Sequence, residues 1–146
     1  SNRWRDFHDF NQVSILRDDS CWLAPDGRTI IPICYDLARS CALAEAFPGR
    51  PFFAVDEYDK RTVKYQVDAK GWLSDLKYFA ERGEFSSVPD QQGNVWIADG
   101  DIYKYDPNGT QQQLIRTPER PSTLTIFNGI LYFTGRTGFY KIESPQ

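Results

Sequence analysis

Hydrophobic and polar positions alternate with a period of two in three segments of the chain, and the three segments end alike. They cover residues 62–68, 101–106 and 138–143, and each closes on an acidic residue. Such alternation is typical of a β-strand with one buried face. The closing acidic residues recur at intervals of about 40 positions, which predicts an internal structural repeat.

A continuous apolar run precedes each alternating segment. The runs cover residues 51–56, 94–99 and 130–135, and a Pro-Gly, Gln-Gly or Asn-Gly turn stands before each of them. An unbroken apolar run of this length, bounded by turn residues, is consistent with a strand buried on both faces. Each repeat therefore contains a predicted central strand followed by a half-buried one.

One repeat unit can be followed from end to end between residues 86 and 118. Strands are predicted at 86–88, 94–98, 102–105 and 113–116, with a turn at 106–109. Four antiparallel strands at this period are typical of a β-propeller blade. The sequence predicts an all-β fold of about three antiparallel four-stranded blades, a partial or half propeller. The predicted blades cover residues 40–82, 83–118 and 119–146, and the last has only three predicted strands.

The first 39 residues are less regular and are predicted to form a hairpin or extension. Residues 12–16 and 29–34 have strand patterns, and one of these strands could complete the last blade. For residues 35–46 a short helix is the alternative to a strand, because Ala, Leu and Arg favour helices. Since propellers close with four to eight blades, we expect a partner to complete the ring, either a missing half or a second copy.

Composition and charge narrow the classes of partner. The formal net charge is −3 and aromatic residues make up 15% of the chain, with the charges interspersed, which argues against nucleic-acid binding. No apolar run is long enough to span a membrane. The chain has no Met, which predicts a processed product or a piece of a longer polypeptide. Analogy with many propellers favours a periplasmic or secreted location.

The three cysteines do not form a recognisable metal motif. Cys21, Cys34 and Cys41 lack a Cys-x-x-Cys spacing, and His8 is the single histidine, so a standard zinc site is excluded. Buried free thiols are one reading, and a Cys21–Cys34 disulfide across a hairpin is the other.

Residues 78–142 resemble the SMP-30/gluconolactonase/LRE-like family. The resemblance is carried by the ordered segments 93–100 (GNVWIADG), 102–109 (IYKYDPNG), 118–124 (PERPSTL) and 131–142 (LYFTGRTGFYKI). It implies a six-bladed propeller of about twice this length, of which this chain is the C-terminal half. It also implies opening of sugar lactones with one divalent cation, calcium or zinc, held in the central tunnel by carboxylates and Asn amides.

The resemblance places two ligand positions in this half of the ring. Ser40 and Cys41 stand where an Asn is expected, and neither suits calcium. Glu84 stands near the position of an expected Asp, so it is the predicted metal ligand and, with Arg120, the predicted catalytic pair. The alternative for Glu84 is a solvated loop carboxylate paired with Arg82 or Arg120.

Three arginines flank the predicted inner strands. Arg39 and Arg136, with Ser40, are predicted to bind substrate, because guanidinium groups hold a sugar acid through bidentate hydrogen bonds. Salt bridges between blades are the alternative for Arg39, Arg120 and Arg136. The sequence thus leaves three functions open: a metal-dependent lactonase completed by other blades, a non-catalytic module for protein or carbohydrate binding, or a self-assembling half propeller.

Overall fold

The computed structural model describes residues 21–23, 30–32, 40–43, 49–69 and 72–143, the first three ranges by their backbone alone. The secondary structure of these residues consists of strands. The strands are β1 (Cys21–Leu23), β2 (Ile30–Pro32), β3 (Ser40–Leu43), β4 (Phe52–Asp56), β5 (Arg61–Val67), β6 (Leu73–Ala80), β7 (Ser86–Pro89), β8 (Val95–Asp99), β9 (Asp101–Tyr105), β10 (Gln111–Ile115), β11 (Leu124–Phe127), β12 (Ile130–Thr134) and β13 (Phe139–Ile142).

The strands form consecutive antiparallel sheets in chain order. The first sheet has the order β3-β4-β5-β6, the second β7-β8-β9-β10 and the third β11-β12-β13, while β1 pairs with β2. This arrangement confirms the predicted all-β partial propeller. A helix over 35–46 is wrong at residues 40–43, which form the strand β3 opposite residues 54–56. That pairing with the central strand outweighs the local helix propensity.

Two apolar layers join the three sheets. Phe53, Phe79 and Ile97 belong to the layer between the first and second sheets. Trp96 and Leu131 belong to the layer between the second and third sheets. Because side chains alternate across a strand, the neighbours Trp96 and Ile97 pack on opposite faces of β8, and both are fully buried. The second sheet is therefore covered on both faces.

Tight turns close one end of the second sheet. The Asp90 side chain accepts hydrogen bonds from the backbone N–H groups of Gln92 and Asn94. Asp106 does the same for Asn108 and Thr110. A glycine completes each turn at φ 87°, in a region that disfavours other residues. The turn predicted at residues 106–109 is confirmed.

No helix within the described ranges is long and apolar enough to cross a membrane.

Candidate functional site

The connections opposite the tight turns carry most of the charged side chains of the predicted site. Strand direction alternates within each sheet, so the starts of β7 and β11 and the ends of β4, β8 and β12 lie at the same end. The backbone N–H of Leu124 in β11 donates to the Ser86 hydroxyl in β7 at 3.3 Å. The first strands of the second and third sheets are thus neighbours at this end.

Glu84 lies just before β7 and is 3% exposed. Its Oε2 accepts hydrogen bonds from Arg120 Nε at 3.0 Å and from the Gly100 backbone N–H at 3.1 Å. Its Oε1 forms ion pairs with Arg120 Nη2 and, at 3.7 Å, with Lys60 Nζ. Lys60 comes from the first sheet, Gly100 from the second and Arg120 from the connection to the third. We call these four residues the Glu84 cluster; it joins all three sheets.

The backbone before Glu84 is fixed by close packing. A Cβ on Gly83 would lie 2.6 Å from the carbonyl oxygen of Arg61, so only glycine fits there. The Gly83 N–H donates to Asp99 Oδ2 at 3.1 Å, and the Glu84 N–H donates to the Ala98 carbonyl at 3.3 Å. These contacts hold the segment against β8 and direct the Glu84 carboxylate toward Arg120.

Asp56 and Asp99 end equivalent central strands and have structural partners. The fully buried Asp56 accepts from Arg61 Nε at 3.3 Å and pairs with Arg61 Nη2 at 3.2 Å. Asp99 accepts from Gly83, as described above. Both carboxylates are therefore occupied by contacts within the chain.

Arg120 is largely exposed despite its pairing with Glu84. Its side chain is 64% exposed, and its Nε and Nη2 carry the contacts with the carboxylate. Within the described part of the chain, its third nitrogen, Nη1, forms no hydrogen bond or ion pair. Arg120 therefore has a fixed position and one unused donor group at this end of the sheets.

The remaining predicted site residues do not join the Glu84 cluster within the described structure. Arg136 is exposed in the β12–β13 connection, and its backbone N–H donates to Glu119. Ser40 begins β3 opposite Asp56, with only its backbone described. Arg39 lies outside the described residues. Of the predicted residues, the structure brings together Glu84 and Arg120.

Glu119 fixes the conformation of the β12–β13 connection. Its carboxylate accepts from the Tyr140 hydroxyl at 2.7 Å and from the Thr137 backbone N–H at 3.0 Å. The Tyr140 bond, followed by the Thr137 bond, lowers the pKa of Glu119 below its ordinary value. The same bond raises the pKa of Tyr140. This arrangement sets the path of the loop that carries Arg136.

The Glu84 cluster lies where the resemblance implies a ligand of a divalent cation. Both carboxylate oxygens of Glu84 already face positive or N–H groups, and a cation there would lie beside Arg120 and Lys60. Among residues 49–69 and 72–143, no three His, Cys, Asp or Glu side chains gather to hold a metal ion. The contacts of this cluster do not fit a divalent cation.

Sequence reasoning missed Lys60 and Gly100 as partners of Glu84. Lys60 has a positive φ of 53° in the turn after β4, and its contact with Glu84 depends on how two sheets pack. Gly100 contributes only a backbone N–H. Neither contact has a local sequence signal.

No protein-family model and no curated protein matches the chain. Solved structures do match. A structural genomics target provisionally named a gluconolactonase is 28% identical, with a TM-score of 0.71 over 84% of this chain and 44% of that chain. A gluconolactonase from Xanthomonas campestris is 22% identical, with a TM-score of 0.69 over 80% and 41%.

The resemblance to the SMP-30/gluconolactonase/LRE-like family is confirmed. A calcium-binding regucalcin from Agrobacterium tumefaciens has the same fold, at 20% identity and a TM-score of 0.63, over 75% of this chain and 42% of that chain. The chain spans about two fifths of the length of each of these relatives of known structure. At identities of 22% and 20%, two of the three similarities concern the fold alone.

Proposed function

We propose that the chain supplies three blades of a ring-shaped hydrolase that opens sugar lactones, and that further blades complete the ring. The similarity to gluconolactonases over about two fifths of their length supports this proposal. The third sheet supports it too, because its outward side chains Phe127 and Phe139 are 63% and 71% exposed. An adjoining blade would cover them.

In the proposed reaction, Arg120 stabilises charge and Glu84 positions Arg120. Water adds to the lactone carbonyl carbon and loses a proton to solvent. The ring C–O bond then breaks, and the ring oxygen takes up a proton from solvent, which leaves a hydroxy acid. Negative charge develops on the carbonyl oxygen during the addition, and a fixed donor aimed at that oxygen lowers the barrier. Arg120 Nη1 is such a donor, held by the two contacts with Glu84. A divalent cation would be held by residues other than the Glu84 cluster.

Lactone hydrolysis by the full polypeptide that carries this chain tests the proposal. The probe is D-glucono-1,5-lactone, followed by proton release in weak buffer with and without calcium or zinc. We expect Arg120→Gln to lower kcat by about 10²-fold, the effect of losing one oxyanion donor. Arg116→Gln is the control, because Arg116 is 80% exposed and pairs with Asp101. Equal rates for wild type and Arg120→Gln would contradict the assignment.

Completion of the ring is tested separately by solution mass. The chain itself has a mass of 16.9 kDa, and light scattering after size-exclusion chromatography distinguishes a monomer from a pair of copies. If the third sheet of one copy packs against a blade of a second copy, Phe139→Asp should abolish the pairing of the two copies. The single chain should stay folded. A monomeric chain with the same mass before and after the substitution excludes a second copy as the completing partner.

A non-catalytic binding module is the second candidate. It is favoured by the Glu84 cluster, in which both carboxylate oxygens are already bound to groups of the chain itself. Binding of the lactone without hydrolysis, at any concentration of added cation, would support this candidate over the first.

A further inference from the structure

The sequence contains two Asn-Gly pairs, Asn108-Gly109 and Asn128-Gly129. Each lies at the tip of a hairpin, the first between β9 and β10 and the second between β11 and β12. An Asn side chain that precedes Gly is open to attack by the next backbone nitrogen, because Gly has no Cβ to obstruct the approach. The two pairs differ in their surroundings, and the lactonase proposal uses neither of them.

The Asn108-Gly109 pair is held in place by its own turn. The Gly109 N–H donates to the Asp106 carbonyl at 3.0 Å, and the N–H groups of Asn108 and Thr110 donate to Asp106 Oδ1 at 2.9 and 3.0 Å. Gly109 also packs closely on the first sheet, since a Cβ there would lie 2.6 Å from the Phe79 carbonyl oxygen. The peptide group between Asn108 and Gly109 therefore cannot rotate without breaking these contacts.

The Asn128-Gly129 pair lacks such restraints within the described part of the chain. Both residues are exposed, no acceptor among residues 49–69 and 72–143 binds the Gly129 N–H, and a Cβ on Gly129 would meet open space. The φ angles of the pair are positive, at 51° and 74°, as in the two-residue turns typical of β-hairpins. Rotation of this peptide group disturbs only the end of the ladder, where Phe127 pairs with Ile130.

We propose that Asn128 is a site of spontaneous modification, at which the side-chain amide converts to a carboxylate through a cyclic imide. The Gly129 nitrogen loses its proton to solvent and forms a bond to the Asn128 side-chain carbonyl carbon. The bond from that carbon to the side-chain nitrogen breaks, and this nitrogen takes up a proton from solvent and leaves as ammonia. Water then adds to one of the two imide carbonyls and breaks its bond to the Gly129 nitrogen, which regains a proton. The product is aspartate or isoaspartate.

Either product changes the exposed end of the third sheet. Both place a negative charge beside Phe127, and isoaspartate also adds a carbon to the backbone of a two-residue turn. Because the length and type of the turn set the register of a hairpin, isoaspartate should loosen the pairing of β11 with β12. The modification is independent of the proposed lactone hydrolysis, and it lies at the opposite end of the sheets from the Glu84 cluster.

Incubation of the folded chain in mildly alkaline buffer, followed by digestion with trypsin and mass spectrometry, tests the site. Cleavage after Arg116 separates the two Asn-Gly pairs, so each rate is measured on its own peptide. We expect conversion at Asn128 to be at least about fivefold faster than at Asn108, because the Asn108 turn must first break one or more hydrogen bonds. An isoaspartyl methyltransferase should label the peptide that contains residue 128.

Two controls separate the effect of the fold from that of the dipeptide. In the chain denatured by guanidinium chloride the two pairs should convert at equal rates, since neither turn is then held. Asn128→Gly is the matched variant, because Gly accepts a positive φ and has no side-chain amide. It should remove the label from the peptide with residue 128 and leave conversion at Asn108 unchanged. Equal rates at the two pairs in the folded chain would overturn the proposal, as would the same difference in rate in the denatured chain.

Discussion

The second and third sheets are formed by two copies of the same sequence repeat, yet their apolar side chains have different surroundings. In the second sheet the consecutive residues Val95, Trp96, Ile97 and Ala98 are all fully buried. In the third sheet Phe133 is buried, while Phe139 on the neighbouring strand is 71% exposed. Within the described residues, the second sheet is flanked on both faces, whereas the third is covered on one. The place of a sheet in the row therefore decides whether an aromatic residue belongs to the core.

Register shows how this difference arises from one pattern. Phe133 pairs with Leu124 and Tyr140, and these three side chains face the second sheet. Phe139 pairs with Thr134 and stacks on Tyr132, with ring centres 5.9 Å apart, on the opposite face. Alternation along each strand is preserved, and only the neighbour on the outward face is missing from the described structure.

Replacing the central aromatic residue should have the largest effect on stability. Trp96→Ala removes a fully buried side chain and should lower the free energy of unfolding by about 3–5 kcal/mol, the range for Trp or Phe to Ala in a core. The indole hydrogen bond to Asp90 is lost as well. Urea unfolding measures the change.

Phe139→Ala is the matched substitution in the third sheet. Since its ring is mostly exposed, truncation in the isolated chain should change the free energy of unfolding by less than about 0.5 kcal/mol. A loss similar to that of Trp96→Ala would mean that the outward face of the third sheet is covered, and the contrast between the two sheets would then fail.

The junction between the sheets should show the next largest effect. Glu84→Gln keeps the shape of the side chain but removes the charge that faces Arg120 and Lys60. Breaking a buried pair is costly, but Arg120 is 64% exposed and can turn to water. We therefore expect a loss of about 1–3 kcal/mol in the free energy of unfolding, measured by urea unfolding.

The charge contribution in this substitution can be separated by salt. If Arg120 and Lys60 stabilise the junction electrostatically, the difference between wild type and Glu84→Gln should shrink as ionic strength rises. A variant as stable as the wild type would show that the Glu84 cluster does not hold the sheets together.

Local pattern predicted the strands because each blade contains its own signals. The alternation of hydrophobic and polar residues predicted β9 and β13, and the continuous apolar runs predicted β8 and β12. The Asp-Pro-Asn-Gly turn predicted the β9–β10 hairpin. The helix alternative at residues 35–46 failed at β3, whose strand state depends on pairing with β4. Helix propensity is a local property of residues 35–46, so it contains no information about the pairing of β3 with β4.

The candidate site was only half predictable for a related reason. Glu84 and Arg120 stand out by charge near predicted inner strands, and they do meet. Lys60 is 24 positions from Glu84 in the sequence and belongs to another sheet, so only packing brings it near. Gln113 lies on β10, and no local pattern indicates that its Oε1 is buried without a donor from the described residues.

Acid should reveal a smaller effect than the junction does, at the start of β9 in the second sheet. The Thr117 backbone N–H donates to Asp101 Oδ1 at 2.9 Å, and this bond is the largest favourable cause lowering the pKa of Asp101 below its ordinary value, with Arg116 contributing less. A carboxylate with a lowered pKa stabilises the fold above its unfolded pKa, and this stability is lost as pH falls through the folded pKa. Asp101→Asn should therefore make the acid loss of stability shallower, by less than about 1 kcal/mol because Arg116 is exposed. Urea midpoints measured from neutral to acid pH check it, and parallel curves for variant and wild type would show that Asp101 does not contribute.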